Sequence, residues 1–414
     1  MSEVASKVPQ LRFPEFKGRW DKETVGGVSK IFGRIGYRGY TVQDIVSKGE
    51  GAIALSPSNF INNQIDATKS TYISWFKYEE SPEIKILDGD ILFVKTGSTY
   101  GKTAFVSNIK EKATINPQIV VLKNISISNK FLGYIVTTQT IKKQVEQIVV
   151  GGAIPTMSQK ELSKMEFGLP AKPEQQKIAA FLTAVDNKIE QLSKKKALLG
   201  SWKKGAMQQI FSQTIRFKAD DGSEFPDWEE KKLGDVCSKA KSGGTPRSTT
   251  KEYYDGDIPF LAISDITRQG KYLTAASKKI SQLGINNSAS WIVPINTIIY
   301  SMYASVGFVS INKIPLATSQ AVINLIVKEG YSIEFIYYHL IEIKKTIHKF
   351  IETGTQGNLN AQTVKLLILN IPSFSEQTKI ANFLSSIDSK IEQVGKQLDE
   401  SKQFKKALLQ QMFV

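Results

Sequence analysis

Two loops of this chain carry the residue types that read a polyanion. Lys30, Arg34, Tyr37, Arg38 and Tyr40 crowd one glycine-rich stretch. Lys241, Thr245, Arg247, Lys251, Tyr253 and Tyr254 surround Gly243-Gly244-Thr245-Pro246 in another. Guanidinium and ammonium groups neutralise phosphates or pair with guanine edges, and tyrosine, threonine and serine add hydrogen bonds. For any single lysine the plainer reading is a solvated surface charge; each loop taken as a unit points to DNA contact. Lys95 and Lys102 in the first half, and Arg268 and Tyr303 in the second, join them as candidate DNA contacts. The balance of 54 Lys+Arg against 39 Asp+Glu, a net charge of +15, favours a polyanionic partner through counterion release.

Other chemistry finds little support. Gly97–Thr103, G-S-T-Y-G-K-T, is the nearest approach to a phosphate-cradling loop. Such a loop needs four residues between its glycines and a helix after Lys-Thr, so that backbone N–H groups meet the phosphates. Here three intervene and the strand-like AFVS follows, so a hairpin near the DNA surface is the better reading. Asn116-Pro117-Gln118-Ile119 lacks the second proline and the aromatic of an amino-methyltransferase tetrad, and no nuclease-type acid pair is evident. One cysteine, Cys237, and two histidines, His339 and His348, argue against a Cys/His zinc site and an internal disulfide. No catalytic apparatus and no bound metal or cofactor are expected. No run of 18 apolar residues and no leader-like N-terminus stand out, so the expected compartment is the cytoplasm, without a membrane partner.

The elements that would hold these loops announce themselves by repetition. Glu174–Phe211 and Glu376–Phe413 align without a gap at an offset of 202 residues. Both show apolar residues at alternating steps of three and four, the seam of a coiled coil, with a proline just before each start. Each predicted helix would be roughly 57 Å long. Lys196, Lys203, Ser401 and Lys405 fall on the seam, whose far ends should therefore pair more weakly or meet something else, Lys196 and Lys203 being candidate partner contacts. The phrases around Trp20 and Trp228 repeat as well, as do Gly152–Pro170 and Gly354–Pro372, which read as turn-like. If the halves are equivalent in space, the two termini lie close together.

Between these repeats the pattern is α+β. Tyr72–Tyr78, Asp90–Lys95 and Ile119–Leu122 read as strands and Phe131–Val149 as a helix. The second half repeats the order with Ile258–Ile263, Thr297–Tyr300, Ala321–Val327 and then a helix over Phe335–Ile351. The globular halves share little identity although the helices match closely. Similar scaffolds with dissimilar loops are what two readers of different targets would look like.

F-P-x-W-x-x-x-x-[LV]-G at Phe225–Gly234, S-G-G-T-P at Ser242–Pro246, Y-Y-D-G-D-I-P-F at Tyr253–Phe260, and the E-Q-x-K-I-A-x-F-L phrase opening each helix complete the pattern. It resembles the specificity subunit of type I restriction–modification systems over nearly the whole chain. The first half departs from it, with G-R-I-G-Y-R-G-Y-T at Gly33–Thr41 in place of S-G-G-T-P.

The resemblance implies an α+β chain with target-recognition domain 1 over 1–172, a long helix over 173–212, target-recognition domain 2 over 213–374 and a second helix over 375–414. The helices would pack as an antiparallel coiled coil with pseudo-twofold symmetry and set the gap between two half-sites of an asymmetric double-stranded DNA sequence. Two modification subunits would bring S-adenosylmethionine, and restriction subunits ATP and magnesium; this chain would catalyse nothing. The alternative is a coiled-coil scaffold holding two interaction domains without DNA specificity.

Overall fold

The structure, a computed structural model, describes residues 8–148, 155–303, 305–347 and 358–414. It divides into two compact units. The first runs to Leu192 and takes in Gln397–Val414; the second is Ser193–Lys396. The long helices span Lys172–Phe211 and Phe374–Gln411. The first therefore begins in unit 1 and ends in unit 2, and the second does the reverse.

In unit 1 the larger sheet has the order Lys30–Gly33, Ile119–Lys123, Ile91–Val94, Thr103–Phe105, Gln64–Ile65, Phe60–Ile61. The central run Ile-Leu-Phe-Val is buried throughout because its alternate side chains enter two different cores. Ile91 and Phe93 pack with Phe131, Ile178 and Leu182 of the helices. Leu92 and Val94 pack with Ile53, Leu55 and Ile115 of a second sheet, ordered Ala113–Ile115, Gly51–Leu55, Thr71–Ser74, Ile45–Val46.

Unit 2 repeats this plan. Its larger sheet runs Cys237–Ser242, Val322–Val327, Ile298–Ser301, Val309–Asn312, Tyr272–Leu273, and the smaller one Lys278–Ile280, Ile258–Leu261, Ala317–Thr318. Setting aside the edge strands Phe60–Ile61 and Ile45–Val46, neighbours and directions correspond. The parallel pairing of Ala113–Ile115 with Ile53–Leu55 recurs between Ala317–Thr318 and Phe260–Leu261. Ile298 and Tyr300 face the helices while Ile299 faces the second sheet. Asn324 is buried where unit 1 has an apolar side chain; its amide donates to the Lys241 carbonyl (3.1 Å) and to Thr318 Oγ1 (2.8 Å).

Within each unit the two helices run antiparallel. In unit 1, Ile178 and Leu182 of the first helix share a core with Leu408 and Met412 of the second; in unit 2, Ile380 and Leu384 share one with Met207 and Ile210. Two of the lysines on the seam are paired: Lys203 Nζ lies 2.5 Å from Asp388 Oδ1, and Lys405 Nζ 2.6 Å from Asp186 Oδ1. Lys203 is thus taken up between the helices rather than offered to an outside partner. The described residues near the chain's two ends meet as the repeat required: Leu11 N donates to the Gln411 carbonyl at 2.9 Å, and Trp20 meets the Phe413 ring edge-on at 6.3 Å.

Some local readings change. Tyr72–Tyr78 is strand only to Ser74, whose hydroxyl caps the short helix Trp75–Glu79. Phe131–Val149 is two helices, Asn129–Ile135 and Gln139–Ile148, parted where the Thr137 and Thr138 hydroxyls bond back to carbonyls three residues earlier. Ile258–Ile263 is strand to Leu261 before the helix Ile263–Gln269. The phrases Gly152–Pro170 and Gly354–Pro372 are more than turns. They hold the helices Gln159–Ser163 and Ala361–Lys365, then the strands Glu166–Leu169 and Ile368–Ile371, which pair with Asp21–Thr24 and Glu229–Lys232. Gly152, Gly354, His348 and the end of the helix expected over Phe335–Ile351 lie outside the described residues.

Candidate nucleic-acid interface

Strand direction gathers the candidate loops at one end of each large sheet. In unit 1 Gly33 pairs with Val120, and Ile119 with Val94, so the end of the opening strand meets the 94–103 hairpin and the Asn116–Gln118 turn. In unit 2 Ser242 pairs with Ile323, Ser301 with Val322 and Tyr300 with Val309, which joins the Gly243–Tyr254 loop to the 301–309 hairpin. Each end therefore holds one long opening loop beside one hairpin.

The opening loop of unit 1 is anchored from within by Arg34. That side chain is buried; its Nε donates to the Ile115 carbonyl (3.0 Å) and its terminal nitrogens to Thr114 Oγ1 (3.0 Å) and the Arg38 carbonyl (3.2 Å). Burial pushes its guanidinium down from the ordinary value, partly offset by Tyr40, over whose ring it lies at 5.4 Å. Arg34 is thus a strut of the loop from within, with the half-buried Tyr40 beside it. Tyr37 is the opposite case, 80% exposed between Gly36 and Gly39, with the Arg38 guanidinium 5.6 Å from its ring and Glu83 3.7 Å from Arg38. Lys30 is exposed at the start of its strand, at the far end from Gly33.

The hairpin carries Lys95 and Lys102, both half-buried. Gly97 and Gly101 stand at φ of 101° and 79°, values that favour glycine. Tyr100 N donates back to the Gly97 carbonyl (3.0 Å) and Gly101 N to that of Val94 (3.0 Å), closing a turn between two strands. Lys102 Nζ reaches the Pro57 carbonyl at 3.4 Å. The G-S-T-Y-G-K-T phrase is a hairpin and not the strand-to-helix turn that cradles phosphates.

In unit 2, Gly243 and Gly244 let the chain pass against Thr318 and Ala289: a Cβ on Gly243 would lie 1.8 Å from the Thr318 carbonyl oxygen. Tyr254 ties the loop back, donating its hydroxyl to the Pro246 carbonyl at 2.6 Å. Lys241, Thr245, Arg247 and Lys251 are left exposed, with Thr245 Oγ1 bonded to Gln320 at 2.7 Å. Tyr303 is 40% exposed on the hairpin. Arg268 lies on the helix Ile263–Gln269, paired with the buried Asp265 at 2.5 Å.

The residues the sequence reading left without a role are the anchors of the long helices. Glu174 is buried and accepts from Arg12 at 2.7 and 2.8 Å and from Trp20 Nε1 at 3.3 Å. Glu376 repeats this with Arg216 (3.3 and 2.8 Å) and Trp228 Nε1 (3.2 Å). Gln175 and Gln377 donate to the Pro170 and Pro372 carbonyls, 2.8 and 2.9 Å, and accept from the backbone of Ser128 and Ser332, 3.1 and 2.8 Å. The Arg-Phe phrases around Arg12 and Arg216 were the signal. Among the described residues no cluster of His, Cys, Asp and Glu could hold a metal. Cys237 is buried, which pushes its thiol up to about 12 and leaves it a poor nucleophile. No described helix is long and apolar enough to cross a membrane.

The family described as type I restriction modification DNA specificity domain matches residues 20–199 and again 226–400. The chain belongs to this family. It is a type I restriction–modification specificity subunit with two DNA specificity domains, and the scaffold alternative is not favoured. The type I restriction enzyme MjaIX specificity subunit of Methanocaldococcus jannaschii is 33% identical over 193 residues, 45% of this chain and 44% of that one. The HindI specificity subunit of Haemophilus influenzae is 24% identical over 428 residues, 86% of this chain and 90% of that one. A crystal structure of the S subunit from M. genitalium has a TM-score of 0.61 over 99% of both chains at 17% identity, a likeness of fold. One solved relative was described in work on complex assembly of the type I system, with a TM-score of 0.55 and 16% identity over 94% of this chain and 96% of that one.

Proposed function

We propose that each unit reads one half of a split, asymmetric DNA sequence through the loops at the end of its large sheet, and that the long helices set the unread gap. What carries this reading is one scaffold used twice with different loops at the same place, in a chain of net charge +15. A shared sheet order supplies equal presentation, and unequal loops supply unequal selection. Tyr37 and Arg38 in unit 1, with Lys95 and Lys102, and Lys241, Thr245, Arg247, Lys251 and Tyr303 in unit 2 are the groups placed to reach DNA. Lys30, at the far end of its strand, and Arg268 would act on the phosphate backbone.

The partners in this reading are two copies of a modification subunit, which bring S-adenosylmethionine and methylate adenine, and restriction subunits that use ATP and magnesium, all in the cytoplasm. Methylation and cleavage belong to them. The close match of Glu174–Phe211 with Glu376–Phe413 supports two equivalent docking places. Steep salt dependence together with preference for one bipartite sequence is the expected binding behaviour; salt-dependent binding indifferent to sequence would refute it.

A further inference from the structure

We infer that unit 1 recognises thymine 5-methyl groups through an apolar face on the loop that carries Ile35, Tyr37 and Val42. The inference rests on the reading of the chain as a selector of DNA sequence. Tyr37 and Val42 are 80% and 84% exposed, and Ile35 is 39% exposed. These side chains stand on a rigid loop. Arg34 clamps its start by the bonds described above. Asp44 closes its end, accepting from Thr41 N at 2.7 Å and Thr41 Oγ1 at 3.1 Å. The Arg38 guanidinium backs the Tyr37 ring. Large apolar side chains held in water on an ordered loop mark a surface that something covers.

What covers it differs between the two units. The corresponding loop of unit 2 exposes Thr245, Arg247 and Lys251, and its ring Tyr254 is turned back to the Pro246 carbonyl. The helix anchors, by contrast, are the same in both units. A protein partner that docks twice needs like surfaces twice, so it does not account for a loop face that the corresponding loop of unit 2 lacks. The two DNA half-sites are the ligands that differ. Among the groups that base pairs show in the major groove, the apolar one is the thymine methyl. The unit 2 loop, with Arg247 foremost, matches guanine N7 and O6 instead.

The test uses the full chain with the subunits that purify with it, and duplexes carrying its selected site. Replacing thymine by deoxyuridine removes only the methyl. In one half-site each replacement should weaken binding roughly fourfold, with the salt slope unchanged. Tyr37→Ala and Val42→Ala, both at exposed positions, should bind thymine and deoxyuridine more nearly alike there. The other half-site should respond instead to 7-deazaguanine, and that response should vanish in Arg247→Ala. Indifference to deoxyuridine in both half-sites overturns the inference, as does full sensitivity in both loop variants. Loop variants that shed a protein subunit while keeping the deoxyuridine response would assign the face to that subunit and overturn it too. Failure to select any DNA sequence would instead strike the underlying reading.

Discussion

The opening loops of the two units leave the same strand end and do opposite things with their side chains. In unit 1 one arginine of the loop, Arg34, is drawn inside while one tyrosine, Tyr37, is put out beside Arg38; in unit 2 Tyr254 is tied back and the loop's arginine, Arg247, is put out. At the base of each unit no such difference exists: Arg12, Trp20 and Glu174 match Arg216, Trp228 and Glu376. The molecule keeps constant what holds the helices and varies what the opening loops expose. Charge at the loop surface is therefore a poor guide to which residue of a basic loop reaches out, since an arginine can serve as the loop's internal strut.

The largest effect that would break the comparison lies in the anchors. Glu174→Ala strands the Arg12 guanidinium and the Trp20 indole N–H in a largely dry site, and should cost about 3 kcal/mol in urea unfolding of the full chain. Glu376→Ala should cost about the same in its own unit. A large inequality would show that the repeat is one of sequence and not of energetics.

Next comes a place where the units differ in the core. His339 is buried among Phe211 and Phe335, with no partner for Nδ1 among the described residues, and burial lowers it to about 4. Counting from the capping serines Ser128 and Ser332, its counterpart is Ile135. Below about pH 6.5 the unfolded chain takes up a proton that the folded one refuses. Unit 2 should therefore lose stability as pH falls from about 6.5 to 4, by up to roughly 3 kcal/mol. His339→Ile should flatten that part of a pH series of thermal unfolding, and an unchanged slope would contradict it.

The reading loops should show smaller effects of different kinds. Arg247→Ala and Lys251→Ala should each weaken DNA binding and lower the slope of log affinity against log salt by about 1. Tyr37→Ala should weaken binding without changing that slope. The smallest effect concerns the seam: Lys203→Ala and Lys405→Ala should each cost no more than about 1 kcal/mol, because both ion pairs stay partly exposed.

Much of the fold was legible because repetition is visible without knowing a structure. The repeat foretold a coiled-coil seam and the nearness of the two ends, seen where Leu11 meets Gln411; the antiparallel packing came with the family resemblance, and the three-residue gap in G-S-T-Y-G-K-T foretold a hairpin. Other features depend on three-dimensional neighbours that no local pattern encodes. Nothing in G-R-I-G-Y-R-G-Y-T tells that the first arginine finds three acceptors on 38 and the distant 114–115 while Tyr37 finds none. The break at Val136–Thr138 turns on two hydroxyls competing for helix carbonyls, which reads in sequence as an uninterrupted amphipathic run.

The central claim is that two units on one scaffold read two different half-sites across a fixed gap. The most direct measurement exchanges residues 25–150 for those of a relative with a different target and maps methylated adenines across a genome, the chain being co-expressed with its modification subunit. The account predicts a split motif whose one half changes while the other half and the gap stay as they were. A motif that changes in both halves, a gap that drifts with the exchange, or no motif at all would contradict it.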